Sequence, residues 1–582
     1  MRWIVRPPDL AAASRLSAEA KVSPLIAHLL AQRGITSAEQ AQLFLSPSLS
    51  HLHSPYLMLG MNKAVERLRA AIAGKETVLI YGDYDVDGTL AVVILKTAIE
   101  ICGGTADFHV PHRIKDGYGM KSDVIEQAAA TDVRLIISVD TGIRAFAAAE
   151  TAHRVGVDLI VTDHHLPEVG EIPQAVAVLN PNQPGCGYPC KELCGAGVAF
   201  KLAQALLEGA GHERLLPSFI KMVAIATIAD AVPLTGENRV LAKLGLEGLR
   251  KPVNVGLKAL FEVASVGRNG SAPSASDVAF RIAPRLNAAG RMDVANDVIA
   301  LFTIREMTQA QEISAKLNQL NAERQNEEAR IVKEIQERLD GDAAQREPYC
   351  LVLDGDNWHR GVIGIVATRV VERYGRPTLV LAHDAESGEA YGSGRSIPGF
   401  HLLQALEQPD CRKLFTRFGG HAHAVGFSLP GESIPELRAR MEEYTHRHLT
   451  LADLEPTLEV DLEIKLEQIS LDLCRELQQL EPFGQGNREP LLAVRNVLLQ
   501  QPPRLLKEKH LKLRVSAGNG RNQGYDALGW RMAERTQSEG LIAGERLDLA
   551  FTLEENQHPD FGGPQMILRD FTKLEAAVAA ST

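Results

Sequence analysis

Three short stretches of the chain gather carboxylates and imidazoles: Asp83, Asp85 and Asp87 in GDYDVDG, Asp140 in SVDTG, and Asp163, His164 and His165 in TDHH. Asp230, which ends KMVAIATIAD, is a further candidate. Carboxylates brought together raise one another's pKa, because like charges do not all stay ionised at short range without a cation between them. A multivalent cation resolves that conflict. Oxygen-rich ligation with one or two imidazoles suits Mn²⁺ or Mg²⁺ better than structural Zn²⁺, which prefers thiolates in a closed tetrahedron. Such a centre activates water and neutralises charge developing on a phosphoryl group, which is hydrolytic phosphodiester chemistry. Taken singly the signals are weak, since a D-x-D after a strand is often a loop pair and an isolated His-His is more often structural. Their recurrence at the same place after successive elements carries the weight.

Those elements are legible. From Glu76 short β-branched runs alternate with helical segments: TVLIY before TLAVVILKTAIEICG, LIISV before IRAFAAAETAHRVG, then LIVT. Alternation of this kind builds right-handed βαβ units and a parallel sheet covered on both faces. Ligands bind at the carboxyl ends of such strands, so the acidic groups converge on one crevice. The charged stretch from about Arg305 to Asp340 contains no Pro and reads as a long connecting helix, a solvated spacer between domains. A second α/β pattern follows in YCLVLD, RGVIGIVATRVVERYG, PTLVLA and EAYGSGRSI. Beyond EPFGQGNREP the chain becomes a series of short strands, as in a small barrel such as an OB-fold. The expected fold is α/β: two α/β domains joined by a long helix, plus a C-terminal β-barrel. The expected limits are 1–62 for an N-terminal helical extension, 63–240 for the first α/β domain and 241–345 for the helical region with the long helix. The second α/β domain spans 346–450 and the barrel 455–575.

A chain of 582 residues is too long for one core. It has no apolar run near the ~20 residues a membrane span requires and no apolar leader at its start, so the expected location is the cytoplasm. Seven cysteines make no disulfide framework. Cys186, Cys190 and Cys194 lack the paired knuckles of a zinc site and read as loop residues. The net charge of −11 argues against a general nucleic-acid coat, unless basic residues line one groove while acidic ones cover the rest.

The motifs themselves resemble a known family. GDYDVDG, SVDTG and TDHH followed by Asp230 are similar to the DHH phosphoesterases. VPHRIKDGYG, FRIAPRLNAAGR, WHRGVIGIVATR, GSGRSIPG, FGGHAHAVGFSL and the strand-rich end after PFGQGN narrow the match to the RecJ exonuclease subgroup, with its DHHA1 and OB domains. The resemblance implies a dinuclear Mn²⁺ or Mg²⁺ centre held by Asp83, Asp85, Asp87, Asp140, His164 and Asp230. It places Asp85, Asp87, Asp140, His164 and His165 at the reacting phosphate. The implied reaction is hydrolysis of single-stranded DNA from the 5′ end to nucleoside 5′-monophosphates, in recombination and repair. Implied partners are single-strand-binding protein and a RecQ-type helicase, with the chain itself a monomer.

Arg113, Arg281, Arg285 and Arg291 could hold phosphate oxygens bidentately, with Asn287 nearby; each could equally make a surface salt bridge. The glycine-rich segments around His359, around Ser393 and Arg395, and before His421 could bring backbone N–H groups to an anion, or could simply turn the chain. By resemblance Ser393 and Arg395 meet the terminal phosphate. Tyr525, Trp530 and Phe551 could stack bases but read as barrel core. Two other functions stay in view: a DHH phosphodiesterase for short oligonucleotides or cyclic dinucleotides, which needs neither long helix nor barrel, and a catalytically silent scaffold, which would lack the metal carboxylates.

Overall fold

The structure of the protein, a computed structural model, describes every residue except 114, 115, 118, 169, 268, 269, 293, 294, 519–523, 557–561 and 575–582. Part of VPHRIKDGYG therefore lies outside the described residues. The chain divides into two compact units. One comprises His53–Val232 and Leu244–Pro456, the other Met1–Leu52, Pro233–Lys243 and Thr457–Thr582.

The first unit contains both α/β sheets. Strands β1 (Thr77–Tyr81), β2 (Thr105–His109), β3 (Leu135–Val139), β4 (Asp158–Thr162) and β5 (Ala177–Leu179) form a parallel sheet in the order β2-β1-β3-β4-β5. Every residue of β3 is buried, as expected where helices cover both faces. The expected strands are present. β2 and β5 were not legible, because TADFH mixes polar and apolar residues and AVL is only three residues long. Helix α1 (Val86–Ile101) starts directly after β1, capped by the Asp85 carboxylate, which accepts the Gly88 N–H at 3.1 Å. Two further helices frame the crevice, α2 (Gly195–Gly209) and α3 (Leu216–Ala229).

Helix α4 (Ala283–Met292) leads to the long helix α5 (Met307–Gly341), close to the expected span. The spacer reading of α5 needs correction. Leu317, Asn321, Arg324, Ile331, Ile335 and Leu339 form a buried stripe at helical spacing. Its lower part packs into a core with Trp358, Val366 and Val380.

The second sheet orders β6 (Leu351–Gly355), β7 (Thr378–His383), β8 (Glu389–Arg395), β9 (Arg417–Gly420) and β10 (Ala424–Pro430) as β9-β10-β8-β7-β6. Helix α6 (Ile363–Tyr374) connects β6 and β7, the parallel pair. Burial alternates along β8, so Tyr391, Ser393 and Arg395 share the more open face while Gly392 and Gly394 face the core. A Cβ on Gly392 would stand 2.2 Å from the Phe427 ring, and one on Gly394 2.5 Å from Leu379. These two glycines answer to packing rather than to an anion cradle or a turn.

In the other unit β11 (Leu492–Leu499), β12 (His510–Ser516), β13 (Tyr525–Gly529), β14 (Arg546–Asn556) and β15 (Gly563–Lys573) run in the order β11-β14-β15-β13-β12. β12 pairs back onto β11, so the sheet closes into a five-stranded barrel, as an OB-fold does. Its core includes Leu16, Ile26 and Leu30 from the N-terminal helices beside Leu492, Phe551 and Phe571. The N-terminal segment, expected to be helical, opens instead with a strand, Arg2–Val5, paired in parallel with Thr457–Val460; four mostly exposed residues carry no alternation to betray it. Tyr525 and Phe551 are core residues as expected, whereas Trp530 is 55% exposed and meets His510 edge-on at 4.9 Å. No described helix is long and apolar enough to cross a membrane.

Candidate metal centre and its basic shelf

The loop after β1 spreads its three carboxylates by local geometry. Asp85 caps α1, Asp87 lies in the first turn of α1, and Asp83 is folded against Gly88, where a Cβ would come within 2.7 Å of the Asp83 backbone and Cβ. Asp87 reaches the start of α2: its two oxygens accept the Gly195 and Ala196 N–H groups at 2.6 and 2.8 Å. Asp140 follows β3 with φ 59°, a left-handed conformation that a non-glycine residue adopts only where its surroundings hold it. Asp230 is the C-cap of α3 rather than a strand end, so it joins the site from a helix.

These groups converge. His164 Nε2 lies 3.2 Å from Asp140 Oδ1, 3.8 Å from Asp230 Oδ2 and 3.9 Å from Asp87 Oδ2. Ligand atoms of Asp83, Asp85 and Asp140 fall within 4.8 Å of one another, as do those of Asp87, His164 and Asp230, and those of Asp140, His164 and His165. The first two sets share no residue and suit two neighbouring ions. Three observations fit the residues to divalent cations. Asp83 Oδ1 is buried with no hydrogen-bond partner. Burial, then the neighbouring carboxylates, pushes Asp83, Asp140 and Asp230 well above the usual carboxylate range, with Asp87 also raised. Burial holds His164 below its ordinary value, hence neutral and able to ligate. The cysteines form no disulfide and supply no ligand to these clusters, although buried Cys194 lies against Asp87 and Thr227.

Asp163, singled out in the TDHH motif but given no role as ligand or catalytic group, proves to be the organiser of the histidine pair. It is fully buried and accepts the N–H groups of Ile143 (2.9 Å), His164 (2.7 Å) and His165 (3.1 Å), and His165 Nδ1 at 2.8 Å. Burial would raise its carboxyl, but the His165 hydrogen bond and charge outweigh that and hold it below the usual range. For His165, burial acts downward and the Asp163 contact overrides it, so its pKa is raised. Sequence alone did not separate the roles of three consecutive polar residues.

A basic shelf adjoins the carboxylates within the same unit. Arg113 lies over the Tyr84 ring at 4.9 Å. Arg291 donates to the Gly361 carbonyl at 2.9 Å and is pushed down to about 10 by burial and then by Arg113 and Arg324. Arg395, lowered by burial and by Arg113, donates to Ser393 Oγ at 3.2 Å. Burial, then His423 and Arg395, holds His421 below its ordinary value, and His359 Nδ1 accepts the Gly361 N–H at 3.1 Å. Asn287 Oδ1 accepts the Val86 N–H at 3.1 Å, tying α4 to the metal loop. Cations packed this closely repel one another unless an anion lies between them.

Two expected members are engaged elsewhere. Arg281 is tied to Asp277 and to the carbonyls of Ala264 and Ser265, and Arg285 to Asn318 and the Arg281 carbonyl; both brace α4. Arg324, buried on α5 and held by Asn321 and Glu328, was missed because one charge on a highly charged helix looks solvated.

A parallel sheet with this carboxylate and imidazole edge, a long helix to a second α/β sheet and a closed barrel together define a DHH–DHHA1 protein. Family models agree: the DHH family N-terminal domain matches residues 77–227, the DHHA1 domain 347–447 and the RecJ OB domain 460–570. The chain belongs to the RecJ family. It is 37% identical over 571 residues to the single-stranded-DNA-specific exonuclease RecJ of Bacillus subtilis (strain 168), covering 98% of this chain and 70% of that one. With the RecJ of Escherichia coli (strain K12) it shares 36% over 518 residues, 86% and 88% of the two chains. The crystal structure of RecJ from Thermus thermophilus in complex with Mn²⁺ superposes with a TM-score of 0.82 at 31% identity, over 99% of this chain and 80% of that one. The Mg²⁺ complex from the same organism gives 0.77 at 30% identity, over 99% and 79%.

Proposed function

We propose that this protein is a metal-dependent exonuclease that hydrolyses single-stranded DNA from its 5′ end to nucleoside 5′-monophosphates. The observation that carries the reading is the pair of ligand clusters at the sheet edge beside a shelf of cations within the same unit. Asp83, Asp85, Asp87, Asp140, His164 and Asp230 would hold the ions, Mn²⁺ or Mg²⁺, the two metals of the Thermus complexes. Bound there, two divalent ions supply an activated water and neutralise charge on the phosphoryl oxygens.

The remaining chemistry belongs to the chain. Asp163, kept ionised, can only accept, so His165 Nδ1 carries the hydrogen between them and Nε2 is the nitrogen that serves the scissile phosphate. Raised in pKa, His165 donates to a phosphate oxygen where negative charge builds. The α2 N–H groups fix Asp87, and Asn287 fixes the Asp85–Val86 link, so the acidic loop is preorganised. Arg113, Arg291 and Arg395 with Ser393 receive the 5′-terminal phosphate, and His359 and His421 flank it. That places the end of the strand, rather than its middle, against the carboxylates.

The domain limits follow this division of labour: an extension over 1–62, the catalytic domain over 63–240, the helical region over 241–345, the DHHA1 domain over 346–450 and the OB domain over 455–575. Work in recombination and repair, a monomer in the cytoplasm, and substrate delivered by single-strand-binding protein and a RecQ-type helicase belong to the same reading. The closed barrel and long helix favour it over a phosphodiesterase for dinucleotides. The test compares Mn²⁺-dependent hydrolysis of a single strand, the matching duplex and a dinucleotide. The proposal expects the single strand to be preferred; a dinucleotide cleaved much faster, or a duplex end degraded as readily, overturns it.

A further inference from the structure

The helix that brings Asn287 and Arg291 to the metal centre begins irregularly. Val278–Ile282 is a π-helical turn that runs directly into α4. It starts from a capping box in which Ser274 and Asp277 each accept the other's backbone N–H. π turns are rare, occur mostly as single turns within α-helices, and are frequent at functional sites. Here Val278 and Ile282 are completely buried, and Phe280 between them is turned outward with 76% of its surface exposed. A phenyl ring left in water forgoes the stabilisation that burial gives an aromatic.

Single exposed apolar residues are ordinary. Phe280 differs in its stiffness and its address. Its neighbour Arg281 is bonded to the end of the helix Val255–Ala264 at Ala264 and Ser265, and Arg285 to α5 at Asn318, so the backbone beneath the ring is held on two sides. Phe280, Pro284, Asn287 and Arg291 recur at helical spacing; Phe280 is exposed and the other three are only partly covered, while Ile282, Ala283, Leu286 and Ala288 are buried. The accessible stripe therefore runs from the phenyl ring to the residue that holds Val86 and the one that feels Asp85. Seven residues at up to about 1.5 Å each set the Phe280 backbone about 10 Å along the helix from that of Asn287, close to three steps of a strand stacked at about 3.4 Å.

We propose that Phe280 is a stacking platform for a base of the substrate strand, about three nucleotides from the phosphate at the metal centre. The inference rests on the single-strand exonuclease reading. A phenyl face accepts any base, which suits a nuclease without sequence preference. The bases of a duplex are already covered by their own stacking, so the platform rewards single strands alone and acts as a specificity determinant. The neighbouring arginine the sequence pointed to, Arg281, serves as its brace.

The test measures binding in EDTA, by fluorescence anisotropy, of a labelled dinucleotide and a labelled strand of about fifteen nucleotides, within the span single-strand sites cover. Wild type, Phe280→Ala, Phe280→Leu and Phe280→Trp are compared. For the long strand, Kd should rise roughly 5- to 100-fold in the Ala and Leu variants and stay near wild type in the Trp variant. The dinucleotide, too short to reach the ring, should bind all four alike. Unchanged long-strand affinity in Phe280→Ala, an equal loss at both lengths, or a Trp variant as weak as Ala overturns the platform. Failure of the wild type to hydrolyse single strands would instead overturn the exonuclease reading, and the binding ratios alone still decide the platform.

Discussion

Gly195 is the most economical place to disturb the metal centre without touching a ligand. It opens α2, gives its N–H to Asp87, and a Cβ built on it would stand 2.5 Å from Asp140 Cβ and Oδ1. Carbon atoms at rest sit about 3.5–4.0 Å apart, so Gly195→Ala requires a relative displacement of about 1 Å between Asp140 and the helix start. A shift of that size at a positioned group lowers rate on the order of 10²-fold, equivalent to about 2.7 kcal/mol of barrier, and overpacking of this kind costs about 1–3 kcal/mol of stability. The assay is Mn²⁺-dependent release of mononucleotide from a 5′-labelled single strand, with thermal melting and strand binding in EDTA measured alongside. Gly197→Ala is the control, because its Cβ would meet Leu193 at 3.4 Å, an ordinary contact. Expected is a large fall in turnover for Gly195→Ala, with strand binding intact and the Gly197 variant close to wild type. Undiminished turnover in a folded Gly195→Ala protein would refute the claim that Asp140 works from this position.

Asp163→Asn should lower activity about 10- to 100-fold, the usual effect of removing the partner of a site histidine. Because Asp163 raises the His165 pKa, the alkaline limb of the kcat/KM profile should also move to lower pH; an unmoved limb would separate His165 from the reaction. In EDTA, Asp83, Asp140 and Asp230 hold protons more tightly folded than unfolded, so from about pH 4 upward their contribution falls as pH rises, and Mn²⁺ should cancel the loss with release of protons. Melting curves should accordingly show Asp140→Asn above wild type in EDTA at neutral pH but with little gain from Mn²⁺; a variant that melts lower contradicts the crowding. In the barrel unit, buried Arg239 donates to the carbonyls of Phe44, Glu481 and Pro482, so Arg239→Met should destabilise by about 3 kcal/mol or more, read by denaturant unfolding.

Much of this site was legible because strand runs and acidic residues alternate in register. A β-branched run ending in Asp or His fixes both an element and the edge where its last side chain emerges, so Asp83, Asp140 and His164 could be placed together from sequence. The long helix and the barrel strands were legible for the same reason, from periodicity and from turn residues. What sequence withheld depends on contacts between distant segments. Gly195 and Ala196 grip Asp87 from more than a hundred residues away, and Arg324 is buried on a helix whose composition suggests solvent; Asp230 was named from sequence, but not that it arrives on a helix end. Nor does sequence show that the Arg281 guanidinium, whose chemistry suits phosphate, also donates to two nearby carbonyls. Trp530 looked like core because it follows an alternating strand, yet it lies one residue beyond the strand's end and is open to solvent.

The central claim, a metal centre that consumes single strands from the 5′ end, is tested most directly with one oligonucleotide labelled at either terminus. It is incubated with Mn²⁺ beside an EDTA control. Early release of a 5′-labelled mononucleotide is expected while the 3′ label stays on long, progressively shortened fragments, with no loss in EDTA. Release that begins at the 3′ label, or that proceeds unchanged in EDTA, contradicts it.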